Sequence, residues 1–161
     1  MQSCAVGLFH AHQIALAPVY DRSLRPPQTT ARMAGSIRFN APKFSGTLEL
    51  SLSETTLSRI NGDGGHLAAR DLVRELTNQL MGRVKNRLLQ FQLELSLGVP
   101  TSAVLGSAVE RPVPAGKTRH VYSFRTREDL IYVTLEGSFE LSGLVFSPER
   151  VAADEGDVIL F

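Results

Sequence analysis

Tryptophan is absent and cysteine occurs once, as Cys4. A lone thiol excludes an intramolecular disulfide and any metal site built on several cysteines; it fits a reducing compartment, and a cytoplasmic location is the expectation. Charge of one sign is missing as well. The 17 Lys and Arg stand against 16 Asp and Glu, a formal +1, so no chain-wide positive field exists to hold a nucleic-acid backbone by counterion release. No apolar run approaches the roughly 20 residues that cross a bilayer. The segment from Ala5 to Ala17 is interrupted by His10, His12 and Gln13, and no basic residue precedes it. It therefore lacks the positive region that opens a signal peptide, and no membrane association is expected. Internal repeats and low-complexity tracts are also lacking, which excludes solenoid and linker-like architectures.

What remains is a chain of 161 residues, 43% hydrophobic, enough to close one core without covalent staples. Residues 1–34 read as an N-terminal arm and linker: Ile14 to Tyr20 as a strand or irregular arm, then the paired prolines Pro26 and Pro27, which favour extended backbone. Residues 35–161 read as one α+β domain. Ile37 and Phe39, then Leu48, Leu50 and Leu52, alternate at period two on either side of the turn signals Asn40, Pro42 and Gly46, the pattern of a hairpin. Ser53 can cap a short helix through Ile60, and the run from Asn61 to Gly65 ends it. From His66 to Phe91 there is no proline and apolar residues recur at helical spacing, which predicts one long helix. Leu93 to Leu97, Val121 to Phe124 and Leu130 to Leu141 alternate again, and Val158 to Phe161 could add a strand. The whole implies an antiparallel sheet with a long and a shorter helix on one face.

On a wheel of about 100° per residue, Leu72, Val73, Leu76, Leu80 and Val84 gather on one side of the long helix, while Asp71, Glu75, Asn78 and Gly82 form a narrow stripe on the other. Glu75 and Asn78, three residues apart, can address one external group. Gly82 within a helix costs about 1 kcal/mol relative to Ala, and on the exposed stripe it would let another molecule's backbone come close. A Glu and an Asn on a solvated helix face are common, so the spacing alone has little specificity.

The run Asp71-Leu72-Val73-Arg74-Glu75-Leu76-Thr77-Asn78 resembles the (Asp/Ser)-x-x-x-Glu-x-x-Asn signature of the CheX/CheC-type chemotaxis phosphatases, which remove phosphate from the response regulator CheY. Gln79 to Lys85 is similar to the glycine and basic continuation of that signature, and Pro100 falls close to the family's proline. The likeness covers roughly residues 35–141, with a single copy of the motif. It departs at the N-terminus, where members of the CheX type begin with an amphipathic helix and residues 1–30 do not read as one, and beyond Leu141, where the tail looks like an addition.

The resemblance implies that Asn78 orients the attacking water beside a partner's phosphoaspartate and that Glu75 pairs with a lysine of the partner. Asp71, Arg74, Gly82 and Lys85 would then contact the partner, a phosphorylated receiver domain of CheY type. The Mg²⁺ is expected in that partner, with no metal or cofactor of the chain's own, and pairing into a homodimer is a further expectation. Arg70, Arg83 and Arg87 join Arg74 and Lys85 as basic residues that could steer an acidic partner, although an ordinary solvated face would carry them equally well. Asp71 near a helix start would also stabilise the helix dipole. A non-catalytic module of the same fold, binding a receiver domain or a flagellar partner, is the alternative, and a small-ligand-binding domain with a chance motif the third. His10 and His12 would share a face if the arm were a strand, but no third metal ligand accompanies them. The Asn61–Gly65 run lacks the Gly-Lys-Ser/Thr ending of a phosphate-binding loop and reads as a hinge.

Overall fold

The alternation between Gly35 and Leu52 folds as the expected hairpin in the computed structural model, which describes residues 1–20, 32–62, 65–105, 112–142 and 144–147. Strand β1 is Ala17–Val19, β2 is Arg32–Ala41 and β3 is Phe44–Ser53, with β2 and β3 paired antiparallel from Arg32↔Ser53 to Ala41↔Phe44. The reversal falls at Pro42 and Lys43. Gly46, expected in the turn, lies inside β3 opposite Phe39. A Cβ there would strike the Glu136 carbonyl oxygen and come within 2.9 Å of the Gly137 Cα, so Gly46 serves strand packing rather than chain reversal.

Helices α2 (Glu54–Asn61) and α3 (Gly65–Leu89) follow as the capping and periodicity predict. The Ser53 side chain accepts a hydrogen bond from the Thr56 N–H at 3.2 Å and satisfies one first-turn donor. Gly62 ends α2 at φ 62° and Gly65 opens α3 at φ 72°, both in the left-handed region that glycine enters without a Cβ penalty. The remaining strands are β4 (Ser96–Leu97), β5 (Thr101–Leu105), β6 (Thr118–Arg125) and β7 (Leu130–Phe139). All the described pairings are antiparallel, in the order β1-β6-β7-β3-β2-β4, with β5 beside β4 on the same edge of β2. The architecture is α+β, a seven-stranded sheet carrying three helices among the described residues.

The N-terminal expectation is corrected. Gln2–Ala11 forms helix α1, where residues 1–30 did not read as a helix, and it packs against α3, while the strand considered within Ile14–Tyr20 forms as β1. Cys4, Ala5, Leu8 and Phe9 are buried in the same core as the sheet. Their spacing is helical, but the mostly apolar segment shows no clear polar face, and its amphipathic signal is correspondingly weak. His10 and His12 sit at the end of this helix instead of alternating on a strand, and no group of three metal-ligating side chains occurs among the described residues. Leu93 and Leu95 are buried without being strand, because only Ser96 and Leu97 reach β2, at Asn40 and Phe39. The strand considered at Val158–Phe161 lies outside the described residues.

The core runs between the helices and the sheet face that carries Ile37, Phe39, Leu48, Leu50, Ile131 and Val133. From α3 it receives Val73, Leu76, Leu80 and Met81. Closest approach comes at Gly35, where an added Cβ would fall on Thr77 Oγ1 and lie within 2.6 Å of the Val73 carbonyl oxygen. Gly35 thereby lets α3 sit directly on β2, which fixes the face that α3 turns to solvent.

Candidate functional site

With Val73, Leu76, Thr77 and Leu80 held against the sheet, the opposite stripe of α3 must face water. Asp71, Glu75 and Asn78 are exposed. The Glu75 carboxylate accepts from Gln79 Nε2 at 2.9 Å, which biases its position along the helix without withdrawing it from solvent. Among the described residues no group hydrogen-bonds the Asn78 carboxamide, so its N–H donors and carbonyl acceptor remain available to an outside molecule. Gly82, half-buried, would meet nothing within 4 Å if it carried a Cβ. The bare backbone there opens onto unoccupied space, as its place on the stripe predicts.

The basic residues divide into two groups. Arg74 pairs with Asp71 one turn earlier, and Arg70 donates to the Ser102 carbonyl at 3.5 Å. Both sit on the flank of the stripe that faces β5. Arg87 instead donates to Ser3 Oγ at 2.8 Å, and Arg83 lies against Gly7. Both turn toward α1, and Arg87 ties it to α3, which removes them from the surround that the sequence suggested. Lys85 stays on the stripe side, half-buried, about two turns beyond Asn78.

The described surface includes two shallow depressions. One, of about 560 Å³, is lined by Arg38, Asn40, Ser45, Thr47, Ser96 and Lys117 among others, with no His, Cys or carboxylate to serve as base or metal ligand. The other, about 510 Å³, lies alongside the motif, between Leu67, Arg70, Asp71 and Arg74 of α3 and the segment from Val99 to Ser102. The carboxylate of the second, Asp71, is already paired with Arg74. The sequence had no means of finding the second depression, since its walls are about 30 residues apart in the chain.

The buried charge lies elsewhere. Arg32, 2% exposed, donates to Ser51 Oγ at 2.9 Å and to the Ser51 and Leu130 carbonyls, and stands 3.7 Å from Asp129. Its guanidinium lies over the Tyr132 ring at 4.9 Å. Burial lowers the Arg32 pKa, opposed by Asp129, and burial raises that of the Tyr132 phenol, opposed by Arg32. Asp129 also accepts from Thr56 Oγ1 at 3.3 Å. This network ties β2, β3, β7 and the start of α2 together and is structural.

No family model and no curated protein matches the chain. Solved structures do. A CheC-like superfamily protein from Shewanella sp. PV-4 superposes with a TM-score of 0.70 at 20% identity, over 85% of this chain and 94% of that one. The fold is that of the CheC-like chemotaxis proteins. A chain of the CheX-CheY-BeF3-Mg²⁺ complex from Borrelia burgdorferi matches at TM-score 0.61 and 12% identity, over 85% and 94% of the two chains. Thermotoga maritima FliY matches at 0.57 and 13%, over 92% and 84%. The likeness thus covers most of the chain, 85% or more in each of these three structures.

Proposed function

We propose that this protein accelerates hydrolysis of the aspartyl phosphate of a CheY-type response regulator, in chemotaxis or another two-component pathway of the cytoplasm. The observation that carries the proposal is the joint exposure of Glu75 and Asn78, three residues apart, on the solvent face of the long helix of a CheC-like fold. The complex of CheX with CheY, BeF3 and Mg²⁺ supports a partner of this kind.

An aspartyl phosphate is an acyl phosphate, already prone to hydrolysis. A catalyst for it needs no nucleophilic side chain, only a water placed in line with the P–O bond to the carboxylate. In the proposed step Asn78 enters the partner's pocket, donates from its NH₂ to a phosphoryl oxygen and accepts from the water with its carbonyl oxygen. Water oxygen bonds to phosphorus, the bond to the aspartate oxygen breaks, and inorganic phosphate and a free carboxylate result. The partner's Mg²⁺ compensates charge on the phosphoryl group. Glu75 pairs with a partner lysine and sets the register, while Asp71, Arg74 and Lys85 border the contact and Gly82 leaves room for the partner's backbone.

Phosphate release from a panel of phosphorylated receiver domains tests the proposal. The parent chain should accelerate release from at least one. Asn78→Ala should abolish the acceleration with the melting temperature unchanged, and Glu75→Ala should raise KM. Equal rates for all three proteins and for the receiver alone would refute it.

The shared fold of FliY favours a second reading, a non-catalytic module that binds a receiver domain or a flagellar partner. It predicts saturable binding of the phosphorylated receiver with no change in its lifetime. Pairing of two copies belongs to the first reading as well and is measured by sedimentation.

A further inference from the structure

We propose that the cleft between the first turns of α3 and the segment Val99 to Ser102 takes an apolar side chain of the response regulator and so selects the cognate regulator; this rests on the phosphatase reading above. Leu67 is 78% exposed and Val99 84% exposed, and both line this one cleft of about 510 Å³. Isolated exposed leucines and valines are ordinary, but two that face each other across a cleft form a surface that water wets poorly.

The cleft is continuous with the motif. At about 100° per residue, Leu67, Asp71, Glu75, Asn78 and Gly82 fall within one arc of about 80°, so Leu67 extends the stripe toward the start of α3. Leu67 and Asn78 are 11 residues apart on α3, roughly 16 Å along the axis. A standard interface of about 800 Å² per partner is roughly 30 Å across, so a protein that receives Asn78 in a pocket and extends toward the start of α3 also covers Leu67.

Charge specifies what borders the apolar group. Asp71 is paired with Arg74, which leaves Arg70 as the cation at the lip, its guanidinium 3.5 Å from the Ser102 carbonyl. A partner whose apolar residue is flanked by carboxylates fits this lip. The chemistry of Asn78 is alike for every aspartyl phosphate, so discrimination among regulators must come from contacts outside the reacting atoms. The cleft supplies such a contact.

Steady-state phosphate release from the panel of phosphorylated receivers, with Leu67→Ser, Val99→Ser and Leu67→Met, tests the assignment. For the receiver that the parent serves best, each serine variant should raise KM about tenfold, the effect of losing one buried anchor, with kcat unchanged, and Leu67→Met should restore the parent KM. The preference among receivers should narrow in the serine variants. An unchanged KM in both serine variants of an active parent would overturn the cleft assignment and leave the phosphatase reading standing, whereas a parent inactive on every receiver would remove both. Loss of self-association in the serine variants without a change in KM would reassign the cleft to a second copy of this chain and overturn the proposal.

Discussion

At the scale of single residues, Gly35 and Tyr132 show how much rests on one side chain or its absence. Gly35 is where α3 lies directly on β2, and a methyl group there would displace Thr77 and the Val73 carbonyl. Gly35→Ala should therefore destabilise the protein by about 1–3 kcal/mol, an overpacking effect read from denaturant unfolding. It should also disturb the pitch of the motif helix, so the rate of phosphate release should fall in the same variant. Tyr132 carries a phenol whose pKa burial raises above 10.0. The folded state then holds that proton more tightly than the unfolded chain. Its contribution is fully present below pH 10.0 and is lost as pH rises through the folded value. Denaturant unfolding at intervals between about pH 8 and pH 11 should show the parent losing stability relative to Tyr132→Phe in the alkaline half of that range. Parallel stability curves would mean that the two states bind the phenolic proton equally.

Among elements, α2 and α3 have separate reasons for existing. The short α2 depends on its cap, since Ser53 accepts from the Thr56 N–H and Thr56 in turn donates to Asp129. Ser53→Ala should cost about 1 kcal/mol, and Thr56→Val less if Ser53 still caps, as measured by chemical denaturation. Helix α3 depends on packing: its buried positions Val73, Leu76 and Leu80 were legible as a periodic pattern, and so was the outward stripe of Asp71, Glu75, Asn78 and Gly82, whereas buried Met81 was not singled out. That legibility has a physical basis. Over 25 residues the 3.6-residue repeat decides which side chains meet the sheet and which meet water, whatever the rest of the chain does. Strand β5 gave no such signal, because its five residues lie at an edge with little of their surface buried and alternation is written only where one face is covered.

At the scale of the whole molecule, α1 belongs to the core. Leu8 and Phe9 are fully buried, and Arg83 and Arg87 reach from α3 to the same helix. Leu8→Ala should cost about 2–5 kcal/mol and lower the melting temperature of the whole fold in a single transition. A separate early transition for the first residues would show that α1 folds independently of the sheet. Arg83 and Arg87, turned toward α1, are among the basic residues that the sequence had assigned, by position alone, to the surround of the motif. Their reassignment leaves Arg70 and Arg74 as the basic flank, beside the cleft that Leu67 and Val99 line.

Local pattern alone settled the hairpin of β2 and β3, the capped start of α2, the length of α3 and the outward aim of Glu75 and Asn78, because each depends on a repeat or a cap that acts within a few residues. Only the tertiary structure decided that the N-terminal segment is a helix against α3, that β4 and β5 share one edge of β2, and that Val99 stands across a cleft from Leu67. Those outcomes depend on surfaces meeting from distant parts of the chain, and no local periodicity records which surface a buried face will find.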